Sequence, residues 1–244
     1  MDTEVIELPQ TATDTHRFTT IICCHCGHEI QVPVYCGNRF CPICSRPRLN
    51  RVRQRIEFLI KNTKKEHGYG FKHLTLTIRN RTDLCGMLQH LTKSFRRLRQ
   101  RRLWKHHVTG GAFVFEVTSK DGYYHAHIHC IIYARFIDWK SLLQLWIDCS
   151  GGRGVYLQRI PERQIVRYLT KYISKPSGST DIEPDVQTSL SGFRLFSPFG
   201  TWYALSSKFV MKKATCPVCG KQAFFPLDLF YPSLKSTNQH LDTS

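Results

Sequence analysis

Residues 112–133 constrain the fold more than any other segment, because they predict two strands joined by a tight turn. In Tyr124-His125-Ala126-His127-Ile128-His129 every second residue is a histidine, and Ala126 and Ile128 lie between them. Successive side chains of a β-strand point to opposite faces, so this segment predicts a strand with one polar and one buried face. Ala112 to Ser119 predicts the preceding strand, and Lys120-Asp121-Gly122 is a turn signal. The segment therefore predicts a β-hairpin.

The hairpin belongs to a longer series of predicted elements. The others are a basic helix over 49–66, a strand over 71–79, a helix over 84–106, a helix from Asp138 to Trp146, a strand over 155–159 and a helix from Pro161 to about Ser174. The order strand, helix, hairpin, helix, strand, helix predicts an α+β fold. In this fold an antiparallel sheet is flanked by helices, which we expect to cover one face.

The charge balance indicates a polyanionic partner. Lys and Arg number 35 against 18 Asp and Glu, which gives a formal net charge of +17. Nucleic acid and an anionic membrane surface are the two candidates. No run of about 18 apolar residues and no signal peptide is visible, so we expect no membrane association and a cytoplasmic location. Nucleic acid is the favoured partner.

The cysteine pattern predicts structural zinc. Cys23 and Cys26 form one CxxC pair and Cys41 and Cys44 another, and two such pairs at close spacing are typical of a four-thiolate zinc site. Cys36 is the alternative fourth ligand. The module is expected to cover residues 20–48.

A third CxxC pair, Cys216 and Cys219, is half of a possible second zinc site. It could pair with another module, with a second chain, or with the N-terminal cysteines. We expect a flexible leader over 1–19, a catalytic domain with basic helices over 49–176, and a linker with a C-terminal segment over 177–244.

The histidine strand predicts a site for a divalent metal. His125, His127 and His129 share one face, and Glu116 is expected near His127 on the neighbouring strand of the hairpin. Imidazoles and one carboxylate leave coordination positions open for a substrate phosphate. We expect His127, His129 and Glu116 to bind the metal, with His125 a third imidazole ligand or a phosphate contact. The alternative is a polar strand face exposed to solvent.

The last predicted helix carries two tyrosines four residues apart. Tyr168 and Tyr172 share one helix face, with Lys171 and Lys175 in a row beside them. A tyrosine hydroxyl is a poor nucleophile near neutral pH, and an adjacent cation such as Lys171 or a metal favours the phenolate. The alternative is a pair of amphipathic core tyrosines.

The basic helix after the second CxxC pair is a candidate contact for DNA phosphates. Its arginines form the predicted row: Arg46, Arg48, Arg51, Arg53 and Arg55. A solvated charged helix is the alternative.

These motifs together resemble the HUH endonuclease superfamily. The resemblance lies in the strand His127-Ile128-His129, the Tyr168 to Tyr172 segment, and the His73-Leu74-Thr75-Leu76-Thr77 segment, which is similar to the first motif of replication initiators. It covers about residues 71–176. The paired tyrosines resemble the gene A type initiators of microviruses, whereas many plasmid initiators have an acid at the position of Tyr168. The Arg39-Phe40-Cys41-Pro42-x-Cys44 segment looks like the zinc segment before many such domains.

This resemblance implies an RRM-like palm and a rolling-circle replication initiator. Such proteins use Mg²⁺ or Mn²⁺ and a tyrosine to nick single-stranded or hairpin origin DNA. The reaction gives a 5′-phosphotyrosine and a free 3′-OH, which a host polymerase extends while a host helicase unwinds the duplex. The host is expected to be prokaryotic.

Three other functions fit parts of the pattern. A transposase of the same superfamily would share every site residue. A zinc-finger regulator would bind DNA without cleaving it, and would leave Tyr168 and Tyr172 without a role. A metallohydrolase that uses water as the nucleophile would cleave DNA without forming a covalent protein–DNA adduct.

Overall fold

The computed structural model describes residues 17–36, 41–152, 154–174, 186, 189–190, 193–194, 196–211, 214–222 and 224–226. The chain divides into two compact units. The cysteine unit comprises Met1–Gly37, Cys41–Cys44 and Lys212–Ser244, and the sheet unit comprises Asn38–Phe40 and Ser45–Met211. Nearly all of the predicted leader and most of the predicted linker lie outside the described residues, as does Lys175.

The sheet unit is built on a five-stranded antiparallel sheet with the order β6-β3-β5-β4-β7. Its strands are β3 (Gly70–Thr77), β4 (Val108–Lys120), β5 (Tyr123–Ala134), β6 (Gly154–Arg159) and β7 (Ser197–Gly200). The histidine strand β5 is the central strand of this sheet. The predicted α+β fold with an antiparallel sheet and flanking helices is confirmed.

A two-residue turn sets the register of the β4–β5 hairpin. Asp121 and Gly122 have φ of 53° and 76°. A left-handed backbone at both central residues fits the right-handed twist of a hairpin. This turn places Glu116 directly opposite His127, which is the register that the sequence predicts.

Six helices are described in the sheet unit or at its start. They are α1 (Pro42–Lys61), α2 (Leu84–Gln100), α3 (Arg102–His107), α4 (Trp139–Ser150), α5 (Glu162–Ser174) and α6 (Thr201–Ser206). The predicted cap is present, since the Asp138 carboxylate accepts a hydrogen bond from Ser141 N at 2.8 Å. The single helix predicted over 84–106 is wrong, because Arg101 adopts an extended backbone between α2 and α3.

Helices cover both faces of the sheet, so the expectation of one covered face is wrong. On one face Leu76, Ile128 and their neighbours form a core with α2 and α4. On the other face a second core joins α1 and α5 to the sheet. The reason lies in β5, because the face that carries its histidines continues with Ile131 and Tyr133. This face is therefore apolar and covered by helices near Ile131 and Tyr133, and polar near the histidines.

The cysteine unit contains a small three-stranded antiparallel sheet with the order β2-β1-β8. Its strands are β1 (Phe18–Cys23), β2 (Glu29–Pro33) and β8 (Phe224–Pro226). The sequence did not predict any of the three. The few buried side chains described here are Ile22, Ile43 and the cysteines Cys23, Cys41, Cys44 and Cys216.

No helix among the described residues is long and apolar enough to cross a membrane.

Candidate functional site

The polar end of the five-stranded sheet brings together histidines, threonines and one glutamate. Directly paired residues of antiparallel strands point to the same face. Thr75 of β3 pairs with His129, Thr77 pairs with His127, and Glu116 of β4 also pairs with His127. His125 lies further along β5, opposite Thr118, and is half-buried. One face thus presents a carboxylate between imidazoles.

The two threonines of β3 orient the two central histidine rings. Thr75 Oγ1 lies 3.1 Å from His129 Nδ1, and Thr77 Oγ1 lies 2.9 Å from His127 Nδ1. When one ring nitrogen is fixed by a hydrogen bond, the other is oriented as a ligand. The segment that resembles the first motif of replication initiators therefore has a physical role here, which is to direct Nε2 of both histidines away from β3.

The Glu116 carboxylate occupies the Nε2 side of His129. Glu116 Oε2 lies 2.7 Å from His129 Nε2, and both side chains are nearly buried. Burial, with the nearby His129, lowers the pKa of His127 and favours its neutral, metal-binding form. Among the described residues, however, three or more potential ligand atoms lie within 4.8 Å of one another only in cysteine clusters. The expected metal ligands Glu116, His127 and His129 are therefore neighbours on one strand face without forming such a cluster. Two imidazoles and one carboxylate are a donor set typical of divalent transition metals.

Helix α5 places both tyrosines against these histidines. The Tyr168 hydroxyl hydrogen-bonds to His73 Nε2 and lies 3.3 Å from His129 Nδ1. The Tyr172 ring stacks on the His129 ring, with centroids 3.6 Å apart and planes 10° from parallel. Leu169, between them in sequence, is fully buried in the core under α5. The helical spacing of the tyrosines and Leu169 therefore fixes which face of α5 meets the sheet.

Burial opposes ionisation of the tyrosine. It raises the pKa of Tyr168 well above its usual value, and a hydrogen bond with Tyr172 adds to this. Lys171 is exposed, and its Nζ lies 5.7 Å from the centroid of the Tyr172 ring. The sequence predicts that Lys171 lowers the pKa of a neighbouring tyrosine. When no cation is bound, the pKa of Tyr168 is instead raised.

His73 is a site residue that the sequence reasoning quoted only as part of a motif. Its ring centroid lies 3.9 Å from that of Tyr168, and Thr75 Oγ1 lies 2.8 Å from its Nε2. Burial, with the nearby His129, lowers the pKa of His73 to about 4, so its ring is neutral near pH 7. The sequence did contain one signal for His73. It lies two residues before Thr75, so both side chains are expected on the same face of the strand.

The predicted arginine row divides between two sides of α1. Arg46 and Arg53 are two turns apart and exposed, and Arg51 is exposed on another side. Arg48 and Arg55 are half-buried, and Arg55 hydrogen-bonds to Ser206 Oγ. The exposed arginines are thus the better candidates for contact with DNA.

Seven of the eleven cysteines form two clusters, both in the cysteine unit. One consists of Cys23, Cys26, Cys216 and Cys219, and the other of Cys36, Cys41 and Cys44. The prediction that Cys23 and Cys26 share a site with Cys41 and Cys44 is wrong. The cause is the pairing of β8 with β1, which brings the third CxxC pair beside the first. Either cluster could hold a metal such as zinc.

The chain is similar to known replication proteins. Residues 28–141 match the family described as replication proteins. The resemblance to replication proteins is confirmed. This match includes β3, β4 and the histidine strand, and ends before the tyrosine helix α5.

Curated relatives are named Protein rep. A Protein rep of Bacillus sp is 27% identical over 122 residues, which covers 44% of this chain and 40% of the relative. A Protein rep of Streptococcus pneumoniae serotype 2 (strain D39) is 31% identical over 134 residues, which covers 52% of this chain and 41% of the relative. The chain thus spans about two-fifths of the length of these relatives. No solved structure matches the chain.

Proposed function

We propose that this Rep-like chain is a replication initiator that nicks single-stranded or hairpin origin DNA with a tyrosine. The observation that carries the proposal is the contact of both tyrosines with the histidine strand, since the Tyr168 hydroxyl and the Tyr172 ring each lie against His129. Core tyrosines need no such contact with a polar strand face. A nucleophile beside a phosphate-binding metal site does need it.

Glu116, His127 and His129 are the residues that would hold Mg²⁺ or Mn²⁺, with His125 near the edge of the site. The threonine hydrogen bonds keep both imidazoles in fixed orientations, which reduces the cost of assembling a metal site. When bound, the cation would polarise the scissile phosphate as a Lewis acid.

The proton of the nucleophile has an acceptor in this arrangement. The Tyr168 hydroxyl hydrogen-bonds to His73 Nε2, and in the neutral tautomer whose Nε2 carries no proton the hydroxyl is the donor. As the tyrosine oxygen bonds to phosphorus, this proton moves to His73, and the bond from phosphorus to the 3′ oxygen breaks. The released 3′ oxygen takes up one proton, which balances the reaction. Because burial disfavours a free phenolate at Tyr168, the proton leaves while the new bond forms.

The products are a 5′-phosphotyrosine and a free 3′-OH that a host polymerase can extend beside a host helicase. Tyr168 and Tyr172 have ring centroids 5.0 Å apart. At this distance the second tyrosine can attack a new phosphate while the first still holds DNA, so the pair can alternate between initiation and release. The net charge of +17, the exposed Arg46, Arg51 and Arg53, Lys171 and also Lys175 serve DNA binding in this proposal.

The test uses purified protein, Mn²⁺ and labelled single-stranded oligonucleotides that tile the origin region of its replicon. A slowly migrating covalent adduct on a denaturing gel is expected, and EDTA should abolish it. The variant Tyr168→Phe/Tyr172→Phe should form no adduct and should still bind DNA. Tyr203→Phe is the matched control, because Tyr203 is an exposed tyrosine in the same unit.

The other outcomes separate the alternative functions. Cleavage without an adduct would indicate a metallohydrolase that uses water, and binding without cleavage on any oligonucleotide would indicate a zinc-finger regulator. A transposase would cleave transposon ends rather than an origin. The similarity of the chain to replication proteins favours an origin of replication, rather than transposon ends, as its substrate.

A further inference from the structure

Two turns of the cysteine unit have the same hydrogen-bond pattern although they lie far apart in the sequence. In the first, Cys23 N donates to His28 O and Gly27 N donates to Cys23 O, both at 2.9 Å. In the second, Cys216 N donates to Lys221 O and Gly220 N donates to Cys216 O, both at 2.8 Å.

The glycines explain why these turns can form. Gly27 and Gly220 have φ of 71° and 70°, a left-handed backbone that other residues rarely adopt. Each follows the second cysteine of its CxxC pair. Both segments are therefore tight cysteine turns of one design, and each presents two sulfurs on one side.

The four sulfurs of these turns form a compact group. Cys23 Sγ lies 3.6 Å from Cys219 Sγ, and Cys26 Sγ lies 3.6 Å from Cys216 Sγ. A disulfide would require about 2.05 Å. Zinc–sulfur bonds of about 2.3 Å in a tetrahedron place sulfurs about 3.8 Å apart. All four Sγ atoms lie within 4.8 Å of one another, so the group has the size of a zinc tetrathiolate.

Strand pairing joins the two turns into one small sheet. The first turn connects β1 to β2, and β8, which follows the second turn, pairs with β1. Cys23 pairs with Phe224 and Ile22 pairs with Phe225 in this ladder. The paired cysteines are nevertheless 196 and 190 positions apart in the sequence. All four lie outside residues 28–141, which match the replication-protein family.

We propose that Cys23, Cys26, Cys216 and Cys219 bind one structural zinc ion and form a zinc ribbon whose two halves flank the sheet unit in the sequence. Four thiolates close the coordination sphere, so this ion stabilises structure and has no open position for catalysis. The ion also closes a chain loop of nearly two hundred residues, which a local zinc finger does not. The cluster of Cys36, Cys41 and Cys44 is separate and does not share this ion.

The first test counts zinc in the purified chain by native mass spectrometry and elemental analysis. Cys23→Ser and Cys219→Ser should each lose one zinc per chain, and Cys23→Ser/Cys219→Ser should lose the same single ion. Cys24→Ser is the matched control, because Cys24 is exposed beside Cys23 and belongs to neither cluster, and it should lose none. If Cys219→Ser keeps the full zinc content, or if the double variant loses two ions, the proposal is wrong.

The second test uses the unmutated chain, so it does not depend on the folding of variants. Alkylation by iodoacetamide is followed by peptide mass spectrometry, with and without chelator. The exposed Cys24 and Cys85 should react in both conditions. Cys23, Cys26, Cys216 and Cys219 should resist alkylation and should then become reactive together, at one rate, when zinc is removed. Reaction of Cys216 and Cys219 before the chelator is added would overturn the proposal. Neither test measures DNA cleavage, so both are independent of the proposed nickase activity.

Discussion

The histidine–tyrosine site and the cysteine unit hold their functional side chains in place by different means. The site lies on a five-stranded sheet with a core on each face. Among its described residues, the cysteine unit has a three-stranded sheet and few buried apolar side chains, among them Ile22 and Ile43. A core of that size cannot offset the entropy of ordering the chain, so small modules of this kind usually depend on a metal. Packing therefore holds the histidine–tyrosine site in place, whereas we expect a bound metal ion to hold the cysteine unit in place.

The first prediction tests whether a metal ion, rather than packing, holds the cysteine unit together. Removal of metal by a chelator should raise amide hydrogen exchange in β1 and β2 to nearly that of an unstructured peptide, because structural zinc supplies folding free energy directly. Exchange in β5, at the centre of the large sheet, should not change. Hydrogen exchange with mass spectrometry measures both regions in one sample. Retained protection of β1 after complete metal removal would show that packing alone holds the cysteine unit.

The second prediction concerns the metal ligands of the site. His129→Ala should lower the rate of adduct formation about 1000-fold, because it removes a proposed metal ligand, and the bound cation supplies several kcal/mol of transition-state stabilisation. His125→Ala is the matched control on the same strand face, and its loss should be less than about tenfold. Single-turnover cleavage at saturating Mn²⁺ provides the measurement. Equal losses for the two variants would make His125 a full ligand.

The third prediction tests the proton acceptor. His73→Gln can still accept a hydrogen bond but cannot take up a proton near neutral pH, so adduct formation should slow by about 100-fold. Mn²⁺ affinity, measured by titration calorimetry, should stay the same because His73 is not a proposed ligand. An unchanged cleavage rate would remove His73 from the reaction, and a weakened Mn²⁺ affinity would assign it to the metal site.

The fourth prediction has the smallest effect and addresses ligand orientation. Thr77→Val keeps the shape of the side chain but removes the hydroxyl near His127 Nδ1. Mn²⁺ affinity should fall about tenfold, as is common when a partner of a metal ligand is lost. Thr92→Val on helix α2 is the control, because the Thr92 hydroxyl donates a hydrogen bond within its own helix, to Leu88 O. If both variants bind Mn²⁺ equally well, the threonines of β3 do not orient the ligands.

The two regions also differ in how much of them the sequence predicts. Periodicity and a turn signal predicted the hairpin, the register of Glu116 with His127, and the helix that carries Tyr168 and Tyr172. All of these depend on neighbours within about twenty residues. The sequence left the partner of Cys23 open, because spacing favours Cys41 and pairing with the third CxxC pair was only one alternative. The pairing of β8 with β1 brings Cys219 to Cys23.

Tertiary contacts explain the other features of the structure that the sequence did not predict. Helices cover the histidine face of the sheet as well, because this face of β5 becomes apolar at Ile131. The sequence alone does not tell which helices pack there. The spacing of His73 to Thr75 indicates its strand face, but its partner Tyr168 on α5 is 95 positions away in the sequence. No local pattern encodes such contacts.

The central claim is that the tyrosines of α5 attack DNA, and peptide mapping of the covalent adduct tests it most directly. Trypsin cleaves after Arg167 and Lys171, so Tyr168 and Tyr172 fall on different peptides. After reaction with Mn²⁺ and origin oligonucleotide, followed by nuclease digestion, the account predicts a nucleotide 5′-phosphate on one or both of these peptides. A nucleotide on another tyrosine, such as Tyr156 or Tyr203, or cleaved DNA with no modified peptide would contradict it.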